Sequence, residues 1–342
     1  MIGERAMRDA DVMQESLSTR VPASTSIASR WRTLKEVWRI AFVIYPTANK
    51  HRHAKRVRFL FRALSDFSTW QCWHGFLKTS PFDAITRYCP RLYEKPLRPY
   101  LHKNLTGSEC HRVLREHYHF MWWYTPAELV SAILKNQPFI LNQHSLGDLR
   151  EPLIINFTYS KHMQQEGELT LSLGRPESVN TIKEHEWIAS LTFVIRLGAS
   201  GWEIFIGGVQ GGRTPESKED TKHATRVFHG LRPKHLLVYI LREVAAAWGI
   251  TRIYAIGNSA HCFMRHRYQD RISMMKSSYD ELWNDVGGQP AANSFFLLPA
   301  TNTRRSIDTV PSRKRAQYLR RFALLDNIDS EICEKLTVKK NP

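Results

Sequence analysis

This chain of 342 residues lacks the means for disulfide chemistry. Its five cysteines, Cys72, Cys89, Cys110, Cys262 and Cys333, are scattered, odd in number and never form a C-x-x-C pair. That spacing argues against a disulfide framework and a structural zinc site, and it fits a reducing compartment. Long apolar runs are also missing. The longest early one, Ile40 to Tyr45, is six residues, far below the roughly 20 that span a bilayer. The first residues, MIGERAMRDADVMQESLSTR, are mixed in charge and lack the apolar stretch, roughly 7 to 15 residues, of a secretory signal. The expected location is cytoplasmic, with peripheral contact to the inner membrane. Acidic residues are the other shortage: 32 Asp plus Glu stand against 49 Lys plus Arg, a formal charge of +17 with histidine neutral. A hydrophobic fraction of 42% with ten tryptophans excludes disorder for most of the length.

Periodicity divides the chain into four stretches. Residues 1–29 are polar and aperiodic and are expected to be a flexible leader. Residues 30–150 read as a basic helical region: Trp31, Leu34, Val37, Trp38 and Phe42 recur at helical spacing, as do Val57, Leu60, Phe61 and Leu64. Four prolines between Pro81 and Pro99 suggest an irregular connector. Ser108 is a plausible N-cap for the helix-like run that follows, whose Trp122, Trp123 and Tyr124 are expected in a core or an interface. Residues 151–300 read as a mixed-sheet α/β core. LIINFTY, GELTLSLG, EWIASLTFVIRLG and GWEIFIGGVQG are strand-like, with Gly198 to Gly201 as a short hairpin connection. A polar loop is expected over 213–228, then a helix from Pro233 to Gly249, and then the strand ITRIYAIGN, which together make a β-α-β unit. A short helix at SYDELWNDVGG and a strand at SFFLLP follow. Residues 301–342 form a basic C-terminal helix and tail. The fold class expected is α/β (α+β), a helical N-terminal region plus a mixed, mainly antiparallel sheet.

Two clusters hold most of the positive charge. Arg30 to Arg58 carries nine cations to one acid, Glu36, and Arg304 to Arg321 carries seven to one, Asp308. An anionic membrane surface suits this electrostatics. Nucleic acid suits the charge too, but no helix-turn-helix, RNP or finger pattern supports it.

Chemistry-bearing candidates gather in the core. The hexad His229-Gly-Leu-Arg-Pro-Lys234 puts a glycine ahead of a helix whose first turn carries Arg232 and Lys234. Free N–H groups, the positive end of the helix dipole and two cations then meet at one point, an arrangement that binds phosphate. Gln210, Gly211 and Gly212, with Gly207 and Gly208, end the preceding strand, and Arg213 or Lys222 are further donors. Asn258 and His261 end the next strand and are candidate pocket-lining residues, with Gly230 and His229 in the hexad. Glu203 is a candidate base if its strand face meets that pocket. His111, His117 and His119 lack the spacing of ligands on one helix face, so no metal is expected.

Several segments carry a family resemblance. IGGVQG from Ile206, ATRVFHGLRPKHLL from Ala224, YAIGNSAH from Tyr254, SYDELWNDVGG from Ser278 and KRAQYLRRFALL from Lys314 resemble the VirK/YbjX family of bacterial proteins, with matching order and spacing over roughly residues 30 to 330. The resemblance implies a role in the cell envelope: resistance to antimicrobial peptides and surface placement of virulence factors. It brings no reaction, cofactor or catalytic residue. The element order is also similar to the acyl-CoA N-acyltransferase fold, which implies an acyl-CoA or acyl carrier protein donor and an envelope precursor as acceptor. By that resemblance the helix near Pro233 faces pyrophosphate, Asn258 the pantetheine arm, and Tyr279 or Tyr268 serves as general acid in place of the usual tyrosine, whose position holds Trp283. The loop after Gln210 is longer than that fold uses. A non-catalytic basic adaptor on an anionic membrane is the alternative.

Overall fold

The computed structural model describes residues 27–46, 50–144, 152–159, 162–175, 187–212, 216–264 and 278–337. Residues 1–26 of the expected leader, Arg213 and Tyr268 lie outside them. Helix α1 (Ile27–Ile44) begins within the segment expected to be leader, and α2 (Lys50–Ser65) and α3 (Phe67–Thr79) follow. Val37, Ile40 and Ile44 of α1 meet Phe59 and Ala63 of α2 and Trp70 of α3 in a small core of their own.

Pro81 to Pro99 is more regular than its prolines suggest, forming two 3-10 helices, Pro81–Arg87 and Pro90–Leu97. Each starts on a proline, whose missing N–H would have no partner in a first turn anyway. The next helix, α4 (Gly107–Tyr124), is capped by Thr106 rather than Ser108. Thr106 Oγ1 accepts from the Glu109 N–H at 3.3 Å and Glu109 Oε2 from the Thr106 N–H at 2.8 Å, a reciprocal capping box. Trp122 and Trp123 are exposed, against expectation. The buried row Cys110, Leu114, His117 and Met121 leaves positions 122 and 123 about 100° and about 200° away around the helix. Tyr124 packs on Phe120 and Trp202.

After α5 (Ala127–Leu134) come strands β1 (Phe139–His144), β2 (Leu153–Thr158), β3 (Leu169–Gly174), β4 (Ala189–Gly198) and β5 (Gly201–Gly211). β1 falls in the stretch that reads as helical. The stretch expected as a polar loop instead holds α6 (Ser217–Val227), with Glu219 and Asp220 in its first turn and Arg226 in its last, as the helix dipole favours. Then follow α7 (Pro233–Ala247), β6 (Arg252–Ile256), α8 (Tyr279–Asp285), β7 (Gln289–Pro290), β8 (Phe295–Leu298) and α9 (Ser312–Leu336). The strands form one sheet in the order β1-β2-β3-β4-β5-β6-β8-β7. β1 to β5 are an antiparallel meander, β5 and β6 are parallel, and β6-β8-β7 are antiparallel again. The chain is thus an α/β protein with a mixed, mainly antiparallel sheet. The tight connection at Gly198–Gly201 and the β5–α7–β6 crossover match the sequence reading, with Pro233 in the first turn of α7 and Gly249 beyond its end at φ 69°.

Buried polar groups tie the helical part to the sheet. β4 runs past the end of β3, and α4 covers its free edge: the Ile195 N–H donates to His117 Nδ1 at 3.2 Å and the Leu197 N–H to Glu116 Oε2 at 3.1 Å. Glu168, just ahead of β3, forms a buried ion pair with Lys95 from the second 3-10 helix. Tyr100 and Tyr118 donate their hydroxyls to its two oxygens at 2.8 and 2.6 Å. The carboxylate is therefore matched by a cation and two donors, which a buried charge requires.

Candidate functional site

The two faces of the meander differ. On one, Ile155, Phe157, Leu171, Leu173, Leu191 and Phe193 are buried in the main core with α7, and Trp248 at the end of that helix stacks on Phe157. On the other, strand register aligns Asn156 with Ser172, Ser172 with Ser190, and Ser190 with Gln210. A second row runs Thr158, Thr170, Thr192, Gly208. Alternation puts these residues on one side of the pleat, and the Thr170–Thr192 hydroxyl bond of 2.8 Å and the Ser190 and Thr192 bonds to Met163 Sδ agree. A row of four strands spans about 14 Å at about 4.8 Å per strand.

This polar face is buried. Asn156 and Ser172 are fully inaccessible, yet neither atom of the Asn156 amide nor the Ser172 hydroxyl has a hydrogen-bond partner. Buried polar groups are normally paired, and each one left unpaired costs about 1–3 kcal/mol.

A turn around Glu166 lies against the same face and explains the glycines of β5. Gly207 is the extra residue of a bulge opposite Thr192 and Phe193. A Cβ on Gly207 would overlap the Glu166 carbonyl, and one on Gly208 the Glu166 carboxylate. The glycines thus admit a buried carboxylate rather than a phosphate. Gln210 Nε2 donates to both Glu166 oxygens, at 3.0 and 3.1 Å. His261 is fully buried with Nε2 3.8 Å from Glu166 Oε1, beyond hydrogen-bonding distance, and it also faces the backbone of Gly207. Its Nδ1 accepts from the Phe263 N–H at 3.2 Å, so the neutral ring carries its proton on Nε2. Burial pushes the His261 pKa down to about 4.

Tyr279 packs edge-on to His261, with ring centroids 5.7 Å apart. Asn258 belongs to the same group, but its amide is spent on α8: Oδ1 accepts from the Tyr279 N–H at 2.8 Å and Nδ2 donates to Ser278 Oγ at 3.0 Å. Gln210, His261, Tyr279 and Asn258 are therefore brought together, joined by Glu166.

The remaining candidates lie elsewhere. Gly211 sits at the end of β5 with the Lys234 stem over it, 3.8 Å from where a Cβ would be. Burial lowers the Lys234 pKa. Arg232 is exposed at the N-cap of α7, which has no side-chain cap. Gly212 is held by its N–H to the Ile188 carbonyl at 3.0 Å. His229 and Gly230, both at positive φ, close α6: the Gly230 N–H bonds the Thr225 carbonyl and the His229 N–H the Arg226 carbonyl. That is a Schellman ending, and Arg321 occupies the His229 carbonyl. Glu203 lies at the far end of β6 from Asn258, buried between Arg196 at 3.7 Å and Arg252 at 3.5 Å, the two residues beside it in the register. His111, His117 and His119 go to separate neighbours, Trp73, the Ile195 N–H and Trp202. Among the described residues no group of three or more His, Cys, Asp or Glu is placed to hold a metal ion.

Glu166, Asn156, Ser172 and Ser190 escape sequence reasoning. The strands do show polar residues at alternate positions, but that alternation ordinarily marks a face in water.

Comparison with known proteins gives relatives without a described activity. A family model described as "Protein of unknown function (DUF535)" matches residues 48–334. "Uncharacterized protein YbjX" of Escherichia coli (strain K12) is 29% identical over 283 residues, 82% of this chain and 83% of that protein. Two proteins of Haemophilus influenzae, each described as "Uncharacterized protein", are 24% and 26% identical, over 82% and 69% of this chain and 89% and 74% of their own lengths. No solved structure matches, so the acyltransferase-like order of elements has no structural relative behind it. The match over most of the length agrees with the resemblance of the HGLRPK and YDELWNDVGG segments: the chain belongs to the DUF535 family, the VirK/YbjX group.

Proposed function

We propose that this protein acts on the bacterial envelope by binding a hydrogen-bonding envelope precursor along the polar face of its sheet and acylating it. The observation that carries the reading is the set of buried, unpaired polar atoms of Asn156 and Ser172 on the Glu166 side of the sheet. A ligand with hydroxyl or amide groups that displaces what covers this face would satisfy them, and the roughly 14 Å row suits an elongated one. Gln210 Nε2 donates to both Glu166 oxygens, and in this reading that carboxylate takes a proton from a nucleophile held by Asn156, Ser172 and Ser190. The phosphates of a donor such as acyl-CoA or acyl carrier protein fit Gly211, Arg232 and Lys234, at the carboxyl ends of the parallel strands, where ligands of α/β sheets gather. Such a donor would supply the activated acyl group as its thioester; the C–S bond would break as the new acyl bond forms, and the released thiol would take up the proton held by Glu166.

Calorimetry with acyl-CoA, acyl carrier protein and nucleoside phosphates tests the donor half. Binding that Arg232→Ala weakens by about tenfold supports it, and binding untouched by Arg232→Ala removes it. For the acceptor half, Glu166→Gln should retain ligand binding and lose turnover. Complementation of a peptide-sensitivity phenotype by Glu166→Gln at the wild-type level would replace catalysis with a binding role.

A further inference from the structure

We infer that the outer face of α1 and α2 docks on an anionic phospholipid bilayer, with the cations beside it taking the lipid phosphates. The inference stands apart from the ligand reading of the sheet, because it rests on different residues. Both helices are apolar on two sides. Their inner stripes form the small core with α3. Their outer stripes, spaced at i, i+4 or i, i+3, remain exposed: Trp38 by 47%, Phe42 by 39%, Val57 by 60%, Phe61 by 73% and Leu64 by 50%. Most of the large apolar side chains exposed on the described surface lie on these two helices. The Arg56 guanidinium, buried between them, sits 3.9 Å from the Phe42 ring centroid and binds the Tyr45 carbonyl, which holds the pair together.

The flank of this face is cationic. Lys55 on α2 lies among Arg52, Arg91, Arg98 and Arg58, and these neighbours, after burial, lower its pKa. Two nearby acids are already engaged: Glu36 by Arg39 and Lys78, and Glu94 by Tyr45 and Arg98. A groove of about 250 Å³ opens along the same flank, lined by Phe61, Arg62, Leu97, Arg98 and Leu105, with Asp66 at the foot of α4. Phe61 belongs to both the exposed stripe and the groove. Aromatic and aliphatic side chains beside a group of Lys and Arg side chains that outnumber the nearby acids match the interface of an anionic membrane, where rings enter the headgroup layer and cations meet phosphate. Nucleic acid would satisfy the cations and leave Phe61 and Leu64 in water.

The test is flotation of the full chain with phosphatidylcholine vesicles, with and without phosphatidylglycerol, at low and high salt. The expected result is salt-sensitive binding only where phosphatidylglycerol is present. Trp38→Ser with Phe61→Ser, both exposed positions, should weaken it by at least about tenfold. Lys55→Gln with Arg58→Gln and Arg91→Gln should weaken it by about a hundredfold. Circular dichroism confirms that each variant is folded. Failure to float with phosphatidylglycerol vesicles overturns the inference, as does equal binding by the folded variants. Binding to an oligonucleotide in preference to the vesicles also overturns it, by assigning the cations to nucleic acid.

Discussion

Two buried histidines show how burial sets charge at the level of the residue. His117 at the edge of β4 is held down to about 3 and His261 beside Glu166 to about 4, each mainly by desolvation. In the unfolded chain both titrate near 6.5. As pH falls below that value the unfolded chain takes up protons that the folded chain refuses, so stability drops until the folded values are passed. Each histidine should remove about 2 kcal/mol between pH 7 and pH 5. Urea unfolding at the two pH values checks this, and His117→Gln should recover about 2 kcal/mol of the loss at pH 5. An unchanged slope in that variant contradicts the assignment. Of the two buried carboxylates two positions apart, Glu168 pairs with Lys95 and accepts from two tyrosine hydroxyls, while Glu166 accepts from the Gln210 amide and lies 3.8 Å from His261.

Among the elements, β5 carries the site because it is broken by glycine. At Gly207 an added Cβ would collide with the Glu166 backbone, while at Gly211 it would only touch the Lys234 stem at 3.8 Å. Gly207→Ala should therefore cost about 2–3 kcal/mol as overpacking, and Gly211→Ala less than about 0.5 kcal/mol. Thermal unfolding of the pair would show the difference. Equal effects would mean that the turn yields to accommodate a side chain.

The same strand shows what could be read in advance. Gly198 to Gly201, Pro233 and Gly249 announced the hairpin and the helix bounds because their chemistry is local. The Thr106–Glu109 capping box was equally local but lay beside the more conspicuous Ser108. Helix α6 was hidden by its polarity, since only Ala224 and Val227 of its residues are buried. The role of Gly207 and Gly208 was not readable, because nothing in the sequence of β5 reveals that Glu166, some forty positions earlier, lies against it.

On the scale of the whole molecule, charge and polarity are separated. The basic N-terminal helices present an apolar outer face, and the sheet keeps a polar face inside. Among the described residues no helix is long and apolar enough to cross a membrane; the inferred contact with lipid rests on the exposed face of α1 and α2. Polar alternation in Asn156, Ser172 and Ser190 reads the same whether the face meets water or a ligand, and only the packing above it decides. That is why the candidate site was half legible: Gln210, His261, Tyr279 and Asn258 end strands or start helices, while the polar rows sit mid-strand.

The central claim is that those rows are kept for a ligand at a cost to stability, and the unfolding free energy of Asn156→Leu tests it directly. Residues retained for function leave the folded state less stable than it might be. An apolar side chain of similar size would remove the unpaired amide and its penalty of about 1–3 kcal/mol. The prediction is a variant as stable as the parent or about 1 kcal/mol more stable. A loss of about 2 kcal/mol or more would show that Asn156 holds the fold together, and would contradict the claim.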